Sequence, residues 1–236
     1  MADIDLTAAD GHRFTAYRAD PSAPPVGGVV VVQEIFGVND HIRQVVDQYA
    51  EAGFVAVAPA LFDRFGAGIE LGYDAEGVER GQNLSWEQLP LAQALADLAA
   101  AAGALADELG GAQRVGTVGY CYGGMLAATL ASRSPGSIAA AVAYYPSRAA
   151  QLLTDDVPGA PLIVHLGEQD QGVTPDDGRT LMARWPEATF HRYETAGHGF
   201  NCDQRPGFDP EAAALALSRS IAFLTDHLAA GVSEEG

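Results

Sequence analysis

Gly119-Tyr120-Cys121-Tyr122-Gly123-Gly124 follows a short apolar run, Arg114 to Val118, and precedes a segment rich in Ala and Leu. The six residues therefore form the turn between a strand and a helix. Small residues two places before and two places after the cysteine relieve the crowding of a strained backbone that must lift one reactive side chain above the end of a sheet. This is a nucleophile elbow with cysteine in place of serine. Tyr122, Gly123 and Gly124 open the following helix, and their backbone N–H groups, with the positive end of its dipole, favour thiolate over thiol at Cys121. The competing reading, a small buried hydrophobe, is common for a lone cysteine, and glycine spacing alone does not decide between them.

On either side of the elbow, strands and helices alternate. Ile4 to Leu6 and Arg13 to Tyr17 flank the turn Ala9-Asp10-Gly11 and predict an N-terminal β-hairpin. Gly28 to Val32 and Phe54 to Ala58 are continuous apolar runs, the pattern of parallel strands covered on both faces. Between them, Ile42, Val45, Val46 and Tyr49 give Asp40 to Ala52 helical spacing, with Gly53 as the stop. Pro59 to Ser85 is rich in Gly, Asp and Glu and has no periodicity, so a lid loop over 60–85 is expected, followed by a long helix from about Trp86 to Leu109. After the elbow come helix Met125 to Ser132, strands Ile138 to Tyr144 and Leu162 to Leu166, helix Asp176 to Arg184, strand Thr189 to Tyr193 and helix Pro210 to Leu228. The succession specifies an α/β class with a doubly wound, mostly parallel sheet and an N-terminal antiparallel hairpin. No internal repeat, linker or low-complexity tract interrupts residues 1–236, so one domain is expected.

Composition bounds what that domain meets. The chain has 236 residues, 48% hydrophobic and 19% charged, enough for one large core. Its net charge is −18 and all 13 basic residues are arginine, so the summed field repels nucleic acid and anionic lipid, and an anionic substrate needs a local arginine. Met1-Ala2-Asp3-Ile4-Asp5 lacks the basic and apolar regions of a secretion signal, and no apolar stretch reaches membrane-span length. A disulfide between the only two cysteines, Cys121 and Cys202, would consume the nucleophile, so a reducing, cytoplasmic setting is expected, with Cys202 a free structural thiol. The expected assembly is a monomer or small homo-oligomer acting on a small molecule.

A cysteine nucleophile needs a base, and the base needs an orienting group. Asp170 ends the run Val164-His165-Leu166-Gly167-Glu168-Gln169-Asp170 just beyond a buried strand, and His198 sits in Gly197-His198-Gly199-Phe200 after another. Functional groups in such sheets gather beyond the carboxyl ends of strands. Singly, Asp170 also reads as a turn or helix cap and His198 as a surface loop residue; the order nucleophile, acid, histidine favours catalysis. His165 reads as a core residue, and His12, His41, His191 and His227 as surface or cap positions. No cluster has metal-ligand spacing, and neither metal nor other cofactor is expected. Glu34, in Gln33-Glu34-Ile35-Phe36-Gly37, places a carboxylate at the end of a buried strand, costly there unless paired. If the sheet is that of an α/β hydrolase, this loop supplies the second oxyanion donor, placing Ile35 N–H beside Tyr122 N–H.

Through Gln33-Glu34-Ile35-Phe36-Gly37-Val38-Asn39, the elbow, the Gly-x-x-Asp ending at Asp170 and Gly197-His198-Gly199-Phe200, the chain resembles the dienelactone hydrolase family of α/β hydrolases over nearly its whole length. The resemblance implies the α/β-hydrolase fold, a Cys121–His198–Asp170 triad with Glu34 as a fourth member, and hydrolysis of an enol-lactone to an oxo-dicarboxylate through an acyl-enzyme. It also implies a resting thiol held near the glutamate until substrate moves that carboxylate. Family enzymes acting on dienelactone grip the substrate carboxylate with two arginines. Arg80 falls near the first place, closer to Trp86 than the family spacing, while the second place holds Cys202, with Arg205 displaced by three residues; Arg80, Trp86 and Arg205 are expected to contact substrate. Tyr145 matches a pocket tyrosine, though Pro146 replaces the usual glycine. A general carboxylesterase or thioesterase, and a catalytically idle binding module, are the other readings these departures leave open.

Overall fold

Strands of two patterns build one eight-stranded sheet in the computed structural model, which describes residues 2–229. β1 (Ala2–Thr7) and β2 (Arg13–Ala19) alternate more and less covered positions and pair antiparallel, as the hairpin reading requires. β3 (Gly27–Val32), β4 (Phe54–Pro59), β5 (Val115–Tyr120), β6 (Ala140–Tyr144) and β7 (Leu162–Gly167) are buried at every position. Such runs are stable only with a helical layer on each face. β8 (Thr189–Tyr193) forms the far edge and stays partly open. The order is β1-β2-β4-β3-β5-β6-β7-β8, with β2 antiparallel to β4 and every later pair parallel.

Among the described residues seven α-helices complete the fold: α1 (Asp40–Glu51), α2 (Ala75–Gln82), α3 (Leu91–Leu109), α4 (Tyr122–Arg133), the single turn α5 (Ala149–Leu152), α6 (Pro175–Arg184) and α7 (Pro210–Ala229). Adjacent residues of β3 show how they divide. Gly27 packs against Leu228 of α7 and Gly28 against Leu105 and Leu109 of α3. Successive strand positions point to opposite faces, so α3 and α7 cover opposite sides of the sheet. Both layers, and the side chains between them, exclude water from the central strands. Among the described residues no single helix is long and apolar enough to cross a membrane.

The structure corrects the sequence reading in three places. Residues 60–85 are not an open loop: they hold a 3-10 turn over Leu61–Arg64 and helix α2, which Asp74 caps by accepting from Gly77 N at 2.8 Å. Arg64 anchors that turn to α3 through a two-pronged pair with buried Asp97, 2.8 and 2.7 Å. The long helix begins at Leu91 and not near Trp86, because Pro90 cannot continue a helical ladder; a π-helical turn over Asn83–Gln88 precedes it. His41 is neither a surface nor a cap residue. It shares the inward stripe of α1 with Val45 and Tyr49 and is 3% exposed.

Candidate active site

Neighbouring parallel strands bring the chemistry to one edge of the sheet. Glu34 follows β3, Cys121 follows β5, Tyr145 follows β6, Asp170 follows β7 and His198 follows β8, each just past a carboxyl end. At the elbow Cys121 has φ 55° and ψ −112°, a conformation that costs a non-glycine residue roughly 1–3 kcal/mol. Local bonds hold it there: Cys121 N donates to Tyr144 O at 3.0 Å, and Cys121 O accepts from Met125 N at 3.2 Å and Ser147 N at 3.1 Å. A side chain at Gly119 would collide with the Gly123 carbonyl, and one at Gly123 with the carbonyls of Val32 and Gln33. The glycine spacing is therefore a steric requirement of the turn.

Imidazole, carboxylate and sulfur converge. His198 Nε2 lies 3.2 Å from Cys121 Sγ, and its Nδ1 lies 2.9 Å from Asp170 Oδ2 and 3.1 Å from Oδ1. Asp170 is fully buried, and its Oδ1 also accepts from the N–H groups of Gly172, 2.6 Å, and Val173, 2.8 Å. It caps nothing in α6, whose cap is Thr174. With three donors converging on this carboxylate, Nδ1 carries a proton and Nε2 faces the sulfur. Burial by itself disfavours the His198 imidazolium, but the Cys121 sulfur and the Asp170 carboxylate outweigh it and push the ring up to about 10.

Two backbone N–H groups near Cys121, those of Ile35 and Tyr122, have no acceptor of their own among the described residues. Tyr122 is the first residue of α4, and Ile35 lines the same cavity as Cys121. Both fit the expected oxyanion role.

Glu34 departs from the resting arrangement that the family resemblance implies. The sulfur's hydrogen-bond partners are His198 and Ser147, whose Oγ is 3.2 Å away, and Glu34 is not one of them. The carboxylate is 1% exposed and turns toward Arg205, Oε1 to Nη1 3.4 Å, because this guanidinium is the cation within reach of a buried anion. The thiol is thus already paired with the histidine.

The cavity over Cys121 measures about 260 Å³. Ile35, Val78, Gln82 and Trp86 wall it, Arg148 and Arg205 supply cations, and among the described residues no acidic side chain lines it. In a chain of net charge −18, this pocket is locally basic. Trp86 lines the cavity, its ring edge-on to Tyr122 with centroids 4.8 Å apart, and the Arg148 guanidinium lies 4.5 Å above it. Arg205, expected as displaced, reaches the site after all and lies over the rings of Phe36 and Tyr73 at 5.7 and 5.8 Å. Arg80 does not reach it. Val78 and Gln82, four apart on α2, take the cavity face, which turns Arg80 outward into solvent. Tyr145 is fully buried, with φ 35°, and supports the site from beneath: its ring packs edge-on to His198, centroids 5.0 Å apart, without opening to the cavity. Ser147 and Arg148 escaped the sequence reading. Their one signal was position, directly after Tyr145-Pro146 at the end of a buried strand.

A sheet of this order, with a nucleophile elbow after β5, an acid after β7 and a histidine after β8, defines an α/β hydrolase. The comparisons narrow the class. The dienelactone hydrolase family model matches residues 14–228, and the chain belongs to that family; it is a hydrolase of the dienelactone hydrolase type. Carboxymethylenebutenolidases from Pseudomonas putida and Pseudomonas knackmussii are each 34% identical over 227 residues, covering 94% of this chain and 94% of their own. A Klebsiella pneumoniae protein crystallised as a candidate dienelactone hydrolase superposes with a TM-score of 0.79 at 30% identity, over 95% of this chain and 99% of its own. A dienelactone hydrolase-like promiscuous phosphotriesterase from metagenomic libraries, 20% identical with a TM-score of 0.74, shares the fold.

Proposed function

We propose that the chain hydrolyses a small lactone or ester carrying a carboxylate, by acyl transfer to Cys121. The observation that carries the reading is the relay from Asp170 through His198 to sulfur, with 2.9 and 3.2 Å contacts on opposite ring nitrogens. The Cys121 sulfur, its proton held by His198, attacks the substrate carbonyl. Negative charge builds on the carbonyl oxygen between the Ile35 and Tyr122 N–H groups. When the C–O bond breaks, the imidazolium returns its proton to the departing oxygen, and an enol so released rearranges to a ketone. His198 then takes a proton from water, whose oxygen attacks the thioester, and the acid leaves as sulfur is regenerated. Every step uses groups of the chain and water.

Arg205 and Arg148, the cavity's two cations, support a carboxylate-bearing substrate such as an enol-lactone that opens to an oxo-dicarboxylate. A second reading, a general carboxylesterase or thioesterase, draws on Cys202 in the place of a family arginine and on the outward Arg80. A panel of dienelactone, neutral lactones and nitrophenyl acetate separates them. The first reading expects dienelactone to be preferred in kcat/KM; preference for neutral esters supports the second. Cys121→Ala should abolish turnover of all three, and full activity in that variant would remove the triad from the mechanism.

A further inference from the structure

Around Glu34 the fold brings together His41, seven residues on, and Cys202, which is distant in sequence. A Glu34 carboxylate oxygen, a ring nitrogen of His41 and the sulfur of Cys202 all lie within 4.8 Å of one another. The residues are 1%, 3% and 0% exposed. Two of the residues also carry an unpartnered atom: among the described residues, neither Glu34 Oε2 nor His41 Nε2 makes a hydrogen bond. Cys202 Sγ has Tyr73 Oη at 3.3 Å. Unpaired buried polar atoms are expensive, and two on residues that gather around one thiol call for an explanation.

We propose that Glu34, His41 and Cys202 form a binding site for one thiophilic divalent cation of the zinc class. The donor set decides the class. Sulfur, imidazole and one carboxylate suit zinc-like ions, whereas calcium and magnesium demand more oxygen ligands than the cluster holds. Ligand bonds of about 2.0–2.3 Å in a tetrahedron place donor atoms about 3.3–3.8 Å apart. Separations already below 4.8 Å need only small side-chain movements to reach that. A ligating imidazole is neutral, and burial disfavours charge on the His41 ring. Binding releases the Cys202 thiol proton to solvent. The resulting thiolate and the carboxylate then balance the two charges of the cation, and Arg205 keeps its own contact with Oε1. Three protein ligands leave one position open.

His41 also lines a separate surface cavity of about 250 Å³ together with Asn201 and Asp203. The site stands whether or not Glu34 takes part in catalysis. If it does, a bound cation pins this carboxylate and lowers turnover.

Cobalt titration of the full-length chain tests the site. The Cys121→Ser variant is the starting protein, because it removes the only other cysteine. The expected result is saturation at one equivalent with a thiolate-to-cobalt charge-transfer band, competed away by one equivalent of zinc. The band should vanish in Cys121→Ser/Cys202→Ser. His41→Gln on the same background should weaken binding by more than the about 10–100-fold that loss of an outer ligand partner costs. Absence of the band at one equivalent, its survival without Cys202, or unchanged affinity without His41 would each overturn the site. Far-ultraviolet circular dichroism confirms that each variant is folded, and the two substitutions are independent, so failure of one to fold leaves the other to decide.

Discussion

Asp170→Asn isolates the orienting carboxylate with almost no change of shape. In the wild-type protein Oδ1 accepts from Gly172 N–H and Val173 N–H, at 2.6 and 2.8 Å, while Oδ2 faces His198 Nδ1 at 2.9 Å. An asparagine must choose which end to present. Turning its NH2 toward the two backbone donors leaves both unsatisfied, at about 1–3 kcal/mol each, so its oxygen stays with them and its NH2 faces the ring. Nδ1 must then accept, the ring proton moves to Nε2, and that proton points at the sulfur. The histidine can no longer take the thiol proton. In a serine-based triad the equivalent tautomer trap lowers kcat about 10,000-fold, which is about 5.4 kcal/mol of barrier. The same size of loss is expected here, measured by steady-state hydrolysis of nitrophenyl acetate. Stability should fall by no more than one charge-assisted hydrogen bond, about 1.5–3 kcal/mol, or about 3–12 °C in Tm for a chain of this length. A rate within tenfold of wild type, in a folded variant, would show that His198 needs no tautomer control.

Two further tests address charge. Arg205→Met leaves buried Glu34 unpaired and removes a cavity cation. We expect a Tm lower by about 6–12 °C, from about 3 kcal/mol at the low end for a broken buried pair since Arg205 is partly exposed, and a loss in kcat/KM of about 10–150-fold for acidic lactones beyond that for neutral esters. Equal losses on both substrate types would reject carboxylate recognition. His198 should titrate near 10, not near 6.5, when its ring nitrogens are followed by NMR. Because the folded value lies above the unfolded one, the stabilisation it brings is complete below about 6.5 and is lost as pH rises toward 10. The difference in unfolding free energy between wild type and His198→Gln should shrink over that window, and a pH-independent difference would contradict the raised value.

The triad was legible because its signals are local. Glycines around Cys121 and His198 mark backbone that a side chain would obstruct, and chain order supplied the assignment of Asp170. The parallel sheet was legible because runs such as Val29-Val30-Val31-Val32 have no polar face to give to water. What sequence could not supply was phase and strain. Arg80 faces solvent because α2 presents Val78 and Gln82 inward, and the Gly- and Glu-rich composition of that segment hid the helix. Arg148 reaches the cavity from a backbone with φ 58°, a conformation no residue pattern announced. His41 could have been found: it lies four residues before Val45 on the stripe that identified α1, and an apolar stripe extended by one turn would have buried it.

The proposed mechanism passes through a covalent acyl group on Cys121. Turnover of nitrophenyl acetate quenched in acid within the burst, followed by digestion and mass spectrometry, measures it directly. Acetyl mass on the peptide containing Cys121, absent from Cys121→Ser and from Cys202, is the predicted result. Hydrolysis at full rate with that peptide unmodified at every quench time would contradict the claim.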